Sequence, residues 1–230
     1  MRILAFDTST QWLSVALFDG TQAVAFRERC GNASSERLLP AIRTLLDDAH
    51  VALEDLAGIA FGAGPGAFTG VRIACAVAQG IAFGADLPVF AVSTLDALAQ
   101  SAWRERRWPR IIACLDARMH EVYVAASERR DDGMERVHEA AVVKPEEVAR
   151  PDDGEWWGAG DGFAVHASLA SRLGLVASDP SLFPDAQSIA ECAWPRVVAG
   201  DGVPAERAEP LYVRHRVALT TAERAAGLRL

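Results

Sequence analysis

The sequence lacks the surplus of positive charge that a nucleic-acid-binding chain needs. Its 230 residues carry 23 Lys and Arg against 31 Asp and Glu, a formal net charge of −8, whereas gripping a phosphate backbone requires clustered cations. Any nucleic-acid role therefore calls for a basic partner. Cysteine is scarce and scattered: Cys30, Cys75, Cys114 and Cys192 form no CxxC, which points to neither a zinc site nor a disulfide framework and fits reduced, buried thiols. No long apolar run opens the chain. Ile3 to Phe6 stops at Asp7, too short for a secretory signal, so the reading is a cytoplasmic protein. With 50% hydrophobic and 23% charged residues the composition is that of an ordinary globular protein. The length suits one large domain or two lobes of about 100 residues each.

The stretch from Gly58 to Gly84 organises the rest. A short apolar run, a glycine-dense turn and an almost wholly apolar segment predict a buried strand, a tight loop and a buried helix. Gly62, Gly64, Gly66 and Gly70, with Pro65 among them, let the backbone turn sharply and leave amides free at a helix start, a common setting for anion binding. No Lys follows Gly70 and the glycines are not spaced GxGxxG, so this is neither a Walker loop nor a dinucleotide fingerprint. In the helix, Ile73, Val77 and Ile81 make one stripe and Gly70, Ala74, Ala78 and Ala82 a flatter one, while Arg72, Gln79 and Phe83 share the remaining face. Two readings stand: a core helix against a sheet, or a helix with one face covered by another chain. Fifteen residues containing an Arg and a Gln fall short of a bilayer span.

Ahead of this stretch, residues 2 to 7, 11 to 18 and 22 to 27 predict a three-stranded meander turning at Asp19-Gly20. Asp7-Thr8-Ser9-Thr10 follows the first strand. It offers a carboxylate for a metal-bound water and hydroxyls for phosphate oxygens, and equally forms a plain Asx or Ser/Thr turn. Ser34 to His50 places Leu38, Leu39, Ile42, Leu45 and Leu46 at helical spacing, with Ser34 or Ser35 as cap and Pro40 marking either a late start or a kink. After it come the organising stretch, a strand over 87–92 and a helix from Thr94 to Trp103, capped by Ser93 or Thr94. The run Trp103 to Arg110, WRERRWPR, has an RNA-like look, but Glu105 and the acidic whole favour a solvated linker. It divides the chain into lobes 1–104 and 105–230.

The second lobe repeats the first. Ile112 to Ala126 aligns on Ile3 to Leu17 at a constant offset, which sets Asp116 on Asp7, and Asp132-Gly133 answers Asp19-Gly20. A duplicated strand-Asp-turn-strand unit, each followed by αβ elements, predicts an α/β actin-like or Hsp70-like two-lobe fold, with mixed sheets flanked by helices. In that architecture nucleotide phosphates lie between the Asp-bearing turns. Gly158 and Gly160, in a glycine-rich turn, would approach adenosine or simply tighten the chain. Pro184 to Ala199 predicts a helix, and Pro210 to Arg214 a short strand-like piece.

Asp7-Thr8-Ser9-Thr10, Ser35-Glu36-Arg37-Leu38-Leu39-Pro40, the run from Gly64 to Ile73, Asp116-Ala117-Arg118 with Glu121-Val122-Tyr123, and Pro210 to Arg214 occur in the order of the bacterial TsaB (YeaZ) family, which the chain resembles over nearly its whole length. The resemblance implies an accessory subunit in forming N6-threonylcarbamoyladenosine at position 37 of tRNAs that read codons beginning with A. It implies pairing with a catalytic TsaD-type paralogue, a TsaE-type ATPase as third partner, tRNA met only through the assembled complex, and a homodimer when alone. No membrane is involved. The catalytic paralogues hold a metal through a helical His pair. The five His here, at 50, 120, 138, 166 and 215, include no pair at i, i+3 or i+4, so neither a metal nor catalytic residues are expected. Ser34 and Ala67 replace the family's usual His and Ser, and ATP is expected to bind weakly if at all, at Asp7 to Thr10, Asp116, Gly158 and Gly160. The expected partner face comprises Leu38, Leu39, Ile42 and Leu45 of the first helix with Arg72, Ala74, Cys75, Ala78, Gln79 and Ala82 of the apolar one, and Ala78→Glu is its natural probe. The alternative is a small-molecule kinase of the same architecture using Asp7 and Asp116.

Overall fold

A computed structural model of the chain describes residues 1–131 and 133–213. The first half runs β1 (Ile3–Asp7), β2 (Trp12–Phe18), β3 (Ala23–Arg29), α1 (Ser34–Ala49), β4 (Ile59–Gly64), α2 (Phe68–Ala85), β5 (Val89–Ser93) and α3 (Thr94–Arg106). The second runs β6 (Arg110–Arg118), β7 (Glu121–Arg130), β8 (Gly133–Val143), β9 (Trp157–Ala159), α4 (Gly162–Val165), α5 (Leu169–Arg172), β10 (Ala177–Asp179) and α6 (Ala186–Ala199). Two five-stranded sheets result, ordered β3-β2-β1-β4-β5 and β10-β9-β6-β7-β8. Replacing each strand of the first by its counterpart five places on reproduces the second, including the antiparallel meander and the two parallel neighbours. This is the duplicated actin-like α/β fold that the repeat predicted.

The duplication is uneven. α1 has no counterpart: between β8 and β9 the described chain forms only a 3-10 turn, Pro145–Glu147. The terminal helices of the two halves also change places. α6 lays Ala186, Ile189, Ala190, Ala193 and Val197 under the first sheet, against Ile3, Ala5 and Phe90, while α3 lays Leu95, Leu98, Ala99 and Ala102 under the second, against Ile111, Ala113 and Leu115. They meet through Gln100, whose Nε2 donates to Glu191 at 2.8 Å, and through Arg104, which pairs with Asp185. The lobes are thus cross-braced.

β1 is central because both its faces are covered. Leu4 and Phe6 join the cluster beneath α1 and α2, Ile3 and Ala5 the one above α6, and all four are fully buried. Each large side chain so placed contributes about 1.5–3 kcal/mol. At the first hairpin the Asp19 carboxylate accepts from the Thr21 and Gln22 amides at 2.9 Å each and is held near a pKa of about 2 by those bonds. Of the corresponding turn, Asp132 lies outside the described residues.

Several local expectations are corrected. α1 begins at Ser34 without a side-chain cap; the Ser34 hydroxyl instead donates to the Gly31 carbonyl at 3.1 Å. Pro40 sits inside the continuous helix, where both it and Glu36, whose carbonyl loses its usual donor, are exposed. Neither Ser93 nor Thr94 caps α3, since the Thr94 hydroxyl bonds the Pro65 carbonyl. α2 extends to 18 residues, long and apolar enough by length and composition to cross a membrane. Here it packs on the first sheet. Residues 210–213 form no strand, although the Leu211 amide donates to the Ala63 carbonyl at 2.7 Å; Arg214 lies outside the described residues.

Candidate functional site

β1 ends at Asp7, whose side chain points toward β4. At Gly62 the approach is so close that a Cβ would lie 1.9 Å from Asp7 Oδ1, so only glycine leaves room for the carboxyl. The Ser9 amide donates to Oδ1 at 3.3 Å and the Ser9 hydroxyl to Oδ2 at 3.0 Å. Asp7 has no exposed surface, and this burial pushes its pKa from 3.8 up to about 7, opposed by the two bonds from Ser9. Thr8 and Ser9 are each 1% exposed. Thr10, half-buried, accepts the Trp12 amide at 3.2 Å, an ordinary Ser/Thr turn.

The glycine loop folds onto this turn. The Ala67 amide donates to the Ser9 carbonyl at 2.7 Å, and a Cβ on Gly66 would sit 2.4 Å from that same oxygen. At Gly70 a Cβ would sit 1.9 Å from the Thr8 carbonyl oxygen, while the Thr8 hydroxyl donates to the Gly70 carbonyl at 2.7 Å. The glycines therefore serve backbone contact inside the chain. On the Cβ side of Gly66 and Gly70 the space is filled by the Ser9 and Thr8 carbonyl oxygens, which leave no room there for a phosphate.

In the second half, the Asp116 amide donates to Asp161 Oδ1 at 3.0 Å, and Arg118 pairs with the Asp116 carboxylate at 3.0 Å. Burial raises the pKa of Asp161. Gly160 and Gly158 are packing positions: a Cβ on Gly160 would meet the Cys114 carbonyl at 2.2 Å and one on Gly158 the Phe163 ring at 2.7 Å. Asp116 and Gly160 are thus brought to one end of β6 and β9, as Asp7 and Gly62 are to the matching end of β1 and β4.

The helical residues expected on a partner face divide by depth. Leu38, Ala74 and Ala78 are fully buried, and Ile42, Leu45, Cys75 and Ala82 nearly so; they hold α1 and α2 onto the sheet from beneath. The small stripe of α2 faces inward because alanines allow the helix close to β4. Gln79 and Cys75 are engaged by the C-terminal segment, Gln79 Nε2 donating to the Ala208 carbonyl at 2.8 Å and Cys75 Sγ at 3.4 Å. Arg72 stacks on Phe68, 3.2 Å from the ring centroid, with Tyr212 at 5.1 Å. Outward these helices offer, among others, Leu39, 52% exposed, and Phe68, Thr69, Ala76, Gly80 and Phe83, the last 80% exposed.

Sequence reasoning passed over the residues that close the Asp7 end. Asp185 caps α6, accepting from the Ser188 amide at 2.8 Å, and takes Arg104 as ion partner. Ser14 receives the Ala186 amide at 2.9 Å. Arg27 lies over the Trp12 ring at 4.4 Å, with Phe183 beyond. The signal for Asp185 was available, an Asp three residues before a Ser at a helix start; the Arg27 stack joins residues from distant elements and leaves no local trace. Among the described residues no group of three His, Cys, Asp or Glu gathers to hold a metal ion.

Residues 28–169 match the family model of TsaD, tRNA N6-adenosine threonylcarbamoyltransferase. The chain is 41% identical to the tRNA threonylcarbamoyladenosine biosynthesis protein TsaB of Escherichia coli over 95% of this chain and 96% of that protein. To the protein of the same name from Haemophilus influenzae it is 34% identical, over 94% and 95% respectively. Among solved structures, YeaZ from Pseudomonas aeruginosa superposes with a TM-score of 0.87 at 45% identity, covering 92% of this chain and 99% of that one.

Proposed function

The chain belongs to the TsaB (YeaZ) family of tRNA threonylcarbamoyladenosine biosynthesis proteins, within the wider TsaD-like group, and we propose that it serves there as a non-catalytic partner subunit. In this reading it pairs with the TsaD-type catalytic paralogue, a TsaE-type ATPase joins them, and the assembly forms N6-threonylcarbamoyladenosine at position 37 of tRNAs reading codons that begin with A. The carrying observation is the closure of Gly66 and Gly70 onto Ser9 and Thr8. The glycine turn packs against the chain's own backbone, which supports a structural role for it in this chain.

Its other product is a rigid helix. Anchored at its start by Thr8, on its flank by Ala208 and beneath by Ala74 and Ala78, α2 holds Thr69, Ala76, Gly80 and Phe83 toward solvent. Two such faces with small residues pack closely across a twofold or pseudo-twofold axis. A homodimer and the paralogue heterodimer then compete for one surface. Light scattering on this chain alone, and mixed with the catalytic paralogue from the same genome, tests it. Conversion of homodimer to a one-to-one heterodimer is expected; a chain that stays indifferent to the paralogue would overturn the reading.

A further inference from the structure

The segment from Trp103 to Arg110 joins α3 to β6 with Glu105, Arg106, Arg107 and Pro109 exposed, yet it is ordered by its own contacts. It comprises the last turn of α3, Arg107 in a left-handed conformation with φ 58°, and the start of β6. Two guanidiniums from different elements converge on the half-buried Trp103 ring: Arg107 at 5.4 Å from its centroid and Arg129, on β7, at 5.2 Å. Beside them Trp108 stacks on Trp157, centroids 6.5 Å apart at 21°. The backbone beneath is tied down by the Arg129 amide, which donates to the Pro109 carbonyl at 2.7 Å.

The neighbouring arginines are already committed. Arg106 pairs with Asp179, Arg110 with Glu128 and Asp152, and Arg130 with Glu128 and Glu135. Arg107 and Arg129 have no ion pair among the described residues; Arg129 donates one bond, at 3.3 Å, to the Asp131 carbonyl. Single arginines also lie over Trp12 and Phe90, but at Trp103 two guanidiniums from different elements share one indole. Here two cations with no ion pair among the described residues lie over one flat ring, next to a second aromatic pair.

We propose that this Arg107–Trp103–Arg129 patch, with Trp108 and Trp157 beside it, is where the assembled complex touches RNA. The proposal rests on the tRNA-modifying reading above. An RNA loop or end presents phosphates and unstacked bases, and guanidinium planes pair with the first and stack on the second; Arg107 and Arg129, held over Trp103, suit both. Two arginines reach about two phosphates, and the net charge of −8 opposes wider contact, so the patch adds to binding by the partner and does not replace it.

The test is tRNA binding by the heterodimer across a series of salt concentrations, comparing wild type with R107Q/R129Q and with R2Q/R29Q, which removes equal charge elsewhere. Light scattering monitors assembly in parallel. Expected for R107Q/R129Q is an intact heterodimer with about tenfold weaker binding and a log-log salt slope shallower by about two, while R2Q/R29Q stays near wild type. Binding by R107Q/R129Q that matches the control in an intact heterodimer overturns the patch. Weakened assembly instead of weakened RNA binding assigns the surface to a protein and overturns the RNA proposal. A wild-type pair that binds no tRNA overturns the functional reading itself, and that is seen before any variant is compared.

Discussion

Thr8 and Gly70 are locked face to face: the Thr8 hydroxyl donates to the Gly70 carbonyl at 2.7 Å, and a Cβ on Gly70 would lie 1.9 Å from the Thr8 carbonyl oxygen. Gly70→Ala must therefore push backbone against backbone, at a cost of about 1–3 kcal/mol. Gly80, in the same helix, has nothing within 4 Å of the position a Cβ would take, so Gly80→Ala should stabilise by about 0.5–1 kcal/mol through helix propensity. Urea midpoints of the two variants should move in opposite directions. Movement the same way would contradict the close packing at Gly70.

Asp7 makes a distinct contribution to pH dependence. Its folded pKa lies near 7 against 3.8 for the free group, so the folded state binds the proton more tightly than the unfolded one. Stability from this residue is therefore greatest below about pH 4 and falls as pH rises toward 7, by about 4 kcal/mol in all. Asp7→Asn, which keeps the shape and leaves Ser9 as hydrogen-bond partner, should remove that slope. Compared by urea unfolding at pH 5 and pH 8, the variant should gain on wild type at the higher pH; a constant difference would show that the carboxyl is not desolvated.

Asp185 joins two helices, capping α6 through the Ser188 amide and pairing with Arg104 of α3. Asp185→Ala removes the cap and the shortest of the ion pairs of Arg104, which keeps Glu191 at 3.5 Å, for a loss of about 2 kcal/mol. In a chain of this size that lowers the thermal midpoint by about 4–8 °C. A scanning-calorimetry shift under 2 °C would mean that the brace between the lobes lies elsewhere.

On α2, Ala76 and Ala78 are two residues apart and face opposite ways, Ala76 exposed and Ala78 fully buried. Ala78→Glu puts a charge against the sheet and should cost more than about 4 kcal/mol, which makes it a probe of the fold. Ala76→Glu should fold normally by circular dichroism and thermal midpoint, yet fail to form either dimer on light scattering. Dimers that survive Ala76→Glu would place the partner surface off this helix.

The duplication was legible because Asp7 ends β1 and Asp116 lies two residues before the end of β6, each ahead of an alternating partner strand, a pattern that depends only on local chain order. The glycine loop was legible as a sharp turn, but its purpose was not: the residues that fill it, Thr8 and Ser9, lie some sixty positions away. Ala74 and Ala78 suit a sheet contact and a helix–helix contact equally well, so composition alone could not say which way the flat stripe of α2 points. The same limit applies to α3 and α6. Each has the apolar stripe its burial needs, but nothing in that stripe records that each packs beneath the sheet of the other half.

On the proposed reading, this copy of the fold assists the chemistry without performing it. It is tested most directly by threonylcarbamoyl transfer to tRNA in the reconstituted heterodimer, comparing wild type with Asp7→Asn and Asp116→Asn. The expected result is transfer within about twofold of wild type for both variants, with no transfer by this chain alone. Loss of transfer by about a hundredfold or more, in a heterodimer that light scattering shows to be intact, would contradict the claim and make these carboxylates part of the reaction.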